Sequence, residues 1–287
     1  MQHLPALCSQ PPTDLPSFPG SCRPALRRPA RRRNAALATE VALVLSAAAS
    51  GWGVHRRHCQ STRRSGRLLR RGMEMKNDDR HHPSAKRNRG PILEVLRKEL
   101  PEDGSGMVLE IGSGSGCHAE FFATALPKLQ WQPTEFVPPT GMAALKDIDI
   151  VGAKALPNVQ PALALDASAP WEEWPTEVQS LAGDFTMVYM SNVTHISPWK
   201  VTCGVIAGAA KALAKGGRLI IYGPFKVDGK CTTESNADFD ASLRSRDPEW
   251  GYRDIADIAA EAEKQGIKFL QRQEMPANNF FLTFEKQ

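Results

Sequence analysis

Met107-Val-Leu-Glu-Ile-Gly-Ser-Gly-Ser-Gly116 is the stretch on which the fold turns. Its first half is mostly apolar, as a strand covered on both faces of a parallel sheet requires. Its second half has glycine at every other position, Gly112, Gly114 and Gly116. Glycine there permits positive φ and lets a ligand approach the backbone closely. Beyond Cys117, the apolar residues Phe121, Phe122, Ala125 and Leu126 recur at helical spacing. Strand, glycine turn and helix N-terminus together predict a nucleotide-binding entrance.

The glycine spacing narrows the nucleotide. A dinucleotide fingerprint needs G-x-G-x-x-G, and the sixth position from Gly112 is Cys117. A P-loop needs Lys-Ser/Thr after the glycines, and none follows. Instead an acid, Glu110, stands inside the strand end. A carboxylate there suits a ligand with an ammonium group beside its nucleoside, and S-adenosylmethionine (SAM) is such a ligand. The alternative is a structural glycine turn.

Outward from this stretch, the chain divides by composition. Residues 1–73 hold thirteen arginines, no lysine and only Asp14 and Glu40 as acids, a charge of +11 in a chain of net charge +5. The remainder therefore carries −6, which weakens any case for nucleic-acid binding. An acid-poor leader rich in Arg, Pro, Ala and Ser has transit-peptide composition. Residues 35–49 are too short and too interrupted by Glu40 for a membrane span. They suit a signal core with Ala47-x-Ala49 as a small-residue cleavage site. The expected organisation is an Arg-rich targeting leader over 1–75, a polar linker over 76–86 containing solvated His81 and His82, and one domain over 87–287. The leader predicts a plastid or mitochondrial address; translation from Met73 or Met75 would leave a cytoplasmic protein. Six cysteines without a C-x-x-C pair support neither a zinc site nor a disulfide framework.

Within the domain, an opening helix is expected over 88–100, with Pro91 in its first turn. Strands are expected over 129–135, 159–165, 184–191 and 218–222, with helices between them. Residues 229–253 read as a long polar loop, the kind that forms lids. A helix over 252–265 and a hairpin joining 267–275 to 279–285 close the chain. The alternation predicts an α/β, Rossmann-like, doubly wound, mostly parallel seven-stranded sheet with a C-terminal antiparallel hairpin.

Several short motifs carry a resemblance. They are Arg87-Asn-Arg-Gly-Pro-Ile-Leu93, Leu109-Glu-Ile-Gly-Ser-Gly-Ser-Gly116, Trp131-Gln-Pro-Thr134, Asn192-x-x-His-Ile-Ser-Pro198 and Tyr222-Gly-Pro-Phe225. Ser235-Asn236, Phe239-Asp240, Arg246-Asp-Pro-Glu-Trp-Gly251, Arg253-Asp254 and Pro276-Ala-Asn-Asn279 follow in order. In them the chain resembles the Class I SAM-dependent methyltransferases, and more closely the methyltransferase-like 26 family. That family usually has aspartate where Glu135 stands, and residues 136–157 match it poorly.

The resemblance implies that Gly112, Ser113, Gly114 and Gly116 form the loop under SAM. It implies Glu110 at the methionyl amine, Glu135 at the ribose, Asp166 at the adenine, and Ser191 and Asn192 near the methionine end. Trp171 and Trp174 would cover the adenine. His195 is the candidate general base, with Asn192 beside it, because a histidine can take a proton near neutral pH. A structural role, holding Asn192 through loop carbonyls, is its alternative. Tyr222, Asn236, Arg244, Arg246 and Trp250 are expected to form the pocket for an unidentified methyl acceptor, a small molecule or a protein side chain. A catalytically silent SAM-binding module shares every cofactor residue. A nicotinamide oxidoreductase is disfavoured by the missing glycine. No metal site is expected.

Overall fold

The computed structural model describes residues 80–138 and 143–287. The targeting leader and the first part of the linker lie outside the described residues. The elements are α1 (Pro83–Leu96), β1 (Gly106–Ile111), α2 (Cys117–Ala125), β2 (Leu129–Glu135), α3 (Ala143–Val151) and β3 (Leu163–Ala164). Then come a 3₁₀ turn (Trp171–Glu173), α4 (Thr176–Gln179), β4 (Phe185–Ser191), a second 3₁₀ turn (Thr194–Ile196), α5 (Trp199–Ala212) and β5 (Leu213–Gly223). β6 (Lys226–Val227), β7 (Lys230–Cys231), α6 (Glu234–Arg246), α7 (Ile255–Lys264), β8 (Ile267–Met275) and β9 (Asn279–Lys286) complete the chain.

Seven strands form one sheet in the order β3-β2-β1-β4-β5-β9-β8. The first five are parallel, and β9 pairs antiparallel with both β5 and β8. This is the predicted Rossmann-like sheet with its closing hairpin. β1 is the middle one of the five parallel strands, and the direction in which strands are added changes between β1 and β4. A crevice at such a switch point is where open α/β sheets take ligands.

Both faces are covered, which is why the central strands carry few polar residues. One layer packs Leu109, Ile111, Val188 and Met190 against Val205, Ile206 and Ala209 of α5 and Ile258 of α7. The other packs Val108, Trp131, Tyr189 and Ile220 against Ile92 and Leu96 of α1 and Phe122 of α2. Gly204 and Gly208 set how close α5 comes. A Cβ at Gly204 would stand 1.9 Å from the Ala167 carbonyl oxygen, and one at Gly208 would stand 2.0 Å from the Trp174 ring.

Three expectations are corrected. α1 begins at Pro83, not 88, and Pro91 lies inside it. Pro83 takes the first turn, His82 Nδ1 accepts from the Ser84 amide at 3.3 Å, and the buried Ile92, Leu93, Val95 and Leu96 hold the helix on the sheet despite Pro91. His81 is not solvated. It is 4% exposed, with Nδ1 2.8 Å from Ser115 Oγ and Nε2 3.0 Å from Glu120 Oε2. The stretch 229–253 is not one loop, because it contains the 13-residue helix α6, capped where Thr233 Oγ1 accepts from the Asn236 amide at 3.2 Å.

Candidate cofactor and acceptor site

Gly112, Gly114 and Gly116 have φ of 72°, 59° and 78°, so the loop takes left-handed turns that side chains disfavour. Gly116 caps α2 without a side-chain bond, which leaves the first amides of that helix without a side-chain acceptor from the cap. A Cβ at Gly112 would meet Val193 at 2.7 Å, and one at Gly116 would meet Val151 at 2.8 Å. At Gly114 a Cβ would meet nothing within 4 Å. The space over Gly114 is therefore open.

Glu135 closes one side of this loop. Its Oε2 accepts from the Gly114 amide at 2.6 Å and its Oε1 from the Phe136 amide at 2.9 Å. Burial pushes its carboxyl upward despite these bonds. A carboxylate at the end of the strand beside the glycine turn can accept from vicinal ribose hydroxyls. Asp166 is exposed at the end of the β3 segment, where its Oδ1 accepts from the amide and hydroxyl of Ser168 at 2.8 and 2.7 Å. The rest of its carboxylate faces solvent.

Glu110 is buried below the loop rather than open in the crevice. Its Oε2 accepts from the Trp131 indole at 2.8 Å, and burial raises its pKa to about 7. Ser113 Oγ lies beside that carboxyl without another partner among the described residues. Trp174 is likewise not a cover for adenine. It is 3% exposed, packed on α5, with its indole donating to the Ala169 carbonyl at 3.2 Å.

On the far side of β1, Ser191 ends β4 and Asn192 follows with φ of 58°. A non-glycine residue in that region is held by its surroundings, here by its amide donating to the Tyr222 carbonyl at 2.8 Å. His195 lies in the 3₁₀ turn, 6% exposed, with its ring edge-on to Phe239 of α6 and to Tyr252. Its Nδ1 has no partner among the described residues. Nδ1 and Asn192 Oδ1 both face Gly223, standing 3.7 and 3.8 Å from where a Cβ would be. Burial, with Arg253 nearby, lowers the imidazole to about 4, so it is neutral at ordinary pH.

The expected acceptor pocket is not brought together as one set. Tyr222 is buried toward α1, beside Asn88. Asn236 spends its amide on Thr232 and on the Asn278 carbonyl at 3.2 and 3.3 Å, fastening α6 to the hairpin turn. Arg244 bonds Asp240 at 3.2 Å and the Tyr252 carbonyl at 3.4 Å. Arg246 is exposed and reaches Ser242 at 3.4 Å. Trp250 is half-buried after α6. Arg253 carries the brace that sequence reading missed. It donates to the Ser197 carbonyl at 2.8 Å, the Glu249 carbonyl at 2.5 Å and the Thr194 carbonyl at 3.4 Å. The signal was its place in the Arg253-Asp254 motif, which was read for resemblance and not for role.

A cleft of about 550 Å³ lies between Trp199, Lys226 and α7, but no glycine-loop residue lines it. Its Lys226 and Lys264 are paired with Asp240 and Glu261. Among the described residues, no cluster of His, Cys, Asp and Glu is placed to hold a metal ion, and no helix is long and apolar enough to cross a membrane.

Sheet order, glycine turn and strand-end acids define a Rossmann-like protein of the methyltransferase fold type. A family model described as a protein of unknown function (DUF938) matches residues 79–286, and the chain belongs to that family. Among solved structures, the fold is similar to an O-methyltransferase family protein from Burkholderia thailandensis, at 16% identity and a TM-score of 0.56, covering 76% of this chain and 60% of that one. It is similar to the mitomycin 7-O-methyltransferase MmcR, at 16% identity and a TM-score of 0.57, covering 76% and 58%. A third is the SAM-dependent methyltransferase SibL, at 20% identity and a TM-score of 0.52, again covering 76% and 58%. The chain thus spans about 60% of the length of the first of these. At such identities the likeness shows the fold.

Proposed function

We propose that this protein is a SAM-dependent methyltransferase, of the kind that the methyltransferase-like 26 resemblance implies. The observation that carries the reading is the open left-handed turn at Gly114 with the Glu135 carboxylate on its amide. In the bound state the nucleoside lies over β2, with Glu135 on the ribose and Asp166 toward the adenine. The sulfonium lies over β4, near Asn192 and His195. The unpartnered Nδ1 of His195 is the group available to take a proton from the acceptor, and Asn192 orients that acceptor. SAM supplies the methyl group; the protein supplies alignment and a proton acceptor. The names of the structural neighbours, two of them O-methyltransferases, support an acceptor of the oxygen class. The arginine-rich leader supports an organelle address for the same activity.

A thermal-shift titration of the full chain tests this. SAM and S-adenosylhomocysteine should stabilise in proportion to the logarithm of their concentration, and NAD and NADP should not. Gly114→Val should abolish the stabilisation, since its Cβ points into the open space over the loop and a β-branched residue is strained at a φ of 59°. Stabilisation by NAD, or an unchanged response in the variant, would refute the reading.

A further inference from the structure

The linker histidine His81, expected in solvent, is instead fastened to the glycine loop. It directly precedes His82, the N-cap of α1, and it is buried. Its Nδ1 holds the Ser115 hydroxyl at 2.8 Å, and its Nε2 holds Glu120 Oε2 at 3.0 Å. A carboxylate only accepts, so Nε2 carries the proton in that second bond. Ser115 lies in the glycine loop, and Glu120 lies in the first turn of α2. One imidazole thus joins the start of α1, the loop and α2.

Ser115 stands between Gly114 and Gly116, both with left-handed φ. A turn this rich in glycine offers few side chains by which it can be held. Its backbone is tied on the β2 side. There the Ser113 amide donates to the Thr134 carbonyl at 2.9 Å, and the Gly114 amide donates to Glu135 at 2.6 Å. His81 supplies a tie on the α1 side, through the one side chain that Ser115 offers. A loop already in its binding geometry spares a ligand the cost of ordering it, and the saving is read as affinity.

α1 does not depend on His81 for its own packing. Ile92, Leu93, Val95 and Leu96 are buried, Asn88 Oδ1 lies 2.8 Å from His118 Nε2, and the Arg89 guanidinium lies 4.8 Å from the Phe121 ring centroid. Loss of the His81 side chain therefore leaves the helix in place and releases the loop. We propose that His81 is a positioning residue that latches the segment entering the domain onto the glycine loop and so sets cofactor affinity. The proposal rests on the SAM reading above. His81 itself touches no ligand; it acts through Ser115. The latch also gives the proposed targeting leader a boundary. A cut past His81 removes the tie, so maturation that leaves a fully competent site ends before it.

The test is calorimetric titration of S-adenosylhomocysteine into the full-length protein and into four full-length variants, each also melted without ligand. The variants are His81→Ala, Ser115→Ala, the two combined, and Val95→Ala. His81→Ala should bind about fivefold to tenfold more weakly, the scale of one hydrogen bond. Ser115→Ala removes the same contact from a half-buried loop position, so it keeps the test decisive if His81→Ala folds poorly. It should lose a similar factor, and the double variant should lose no more than either single change, because the two side chains act as one contact. Val95→Ala, a core change near the other end of α1, should lower Tm and keep wild-type affinity, which separates helix stability from loop position. Unchanged affinity in His81→Ala or in Ser115→Ala overturns the latch, as do losses that add in the double variant or an equal loss in Val95→Ala. A wild-type protein that does not bind S-adenosylhomocysteine overturns the cofactor reading itself, and the latch with it. The two failures are told apart at the wild type, which binds in the one and not in the other.

Discussion

His195 and Glu110 are both buried titratable groups, and burial moves them in opposite directions because one is charged when protonated and the other when deprotonated. His195, lowered to about 4, is already a free base at neutral pH. If it takes the acceptor's proton, His195→Ala should leave SAM affinity almost unchanged and lower turnover by something like 10²–10⁴-fold, the usual share of a general base. Weakened binding and stability without a selective loss of turnover would make it structural instead. The pH profile separates it from Glu110. Protonation of His195 should cut the rate only near pH 4. Glu110, raised to about 7, should give a different limb. From beneath the loop, its carboxylate attracts a cationic ligand more than its neutral acid does, so SAM affinity should rise as pH climbs through about 7. Glu110→Gln should flatten that rise, measured by titration between pH 6 and 8. A rise that persists in the variant would assign it to another group.

At the scale of elements, α5 fixes where Asp166, the acid proposed for the adenine, stands. Its Gly204 touches the carbonyl of Ala167, the residue after Asp166. Gly204→Ala must push that backbone away, since a carbonyl is not the soft end of a side chain. Overpacking of this kind costs about 1–3 kcal/mol, or roughly 2–4 °C in Tm per kcal/mol for a domain this large. The Asp166 turn should move with it, and SAM affinity should fall; unchanged affinity would remove Asp166 from the site. Elements differed in how far they could be read from sequence. β1, β2, β4, β5 and the closing hairpin were legible because their apolar runs are long and bounded by turn residues; the strand expected over 159–165 was not, since only Leu163–Ala164 pair as a strand and Val159 makes an isolated bridge to Trp131. α6 was not, because it buries only Asn236, Asp240 and Leu243 and so shows almost no apolar stripe. Residues 204 and 208 read as part of an Ala-rich helix, since a close approach leaves no mark beyond the glycines themselves. His81 was read as solvent-facing because its partners, Ser115 and Glu120, are more than thirty residues away. The lid arginines were charged residues in a promising segment, and the structure spends Arg244 on its own helix and on Tyr252.

Over the whole molecule, these buried groups set how stability depends on pH. His118 and His195 each fall from 6.5 to about 4 on folding. Between those values the unfolded chain binds more protons at these two sites than the folded chain does, so they make stability fall as pH drops from 6.5 toward 4. Glu110 works the other way. Its carboxyl rises from 4.5 to about 7, so the folded chain holds the extra proton and stability falls as pH rises through that window. Glu135, also raised, adds to the Glu110 side. Two histidines are thus partly offset by the acids, and Tm should decline only gently from pH 6.5 to 4.5. Glu110→Gln removes the largest offset. Its acid-side decline should be steeper than that of the wild-type protein. Between pH 6.5 and 7.5 the variant should lose the fall in stability that Glu110 imposes on the wild type. Thermal melts of both proteins across pH 4.5–7.5 decide the matter. Parallel curves would mean that Glu110 titrates at an ordinary value, and that its burial against Trp131 is relieved in solution.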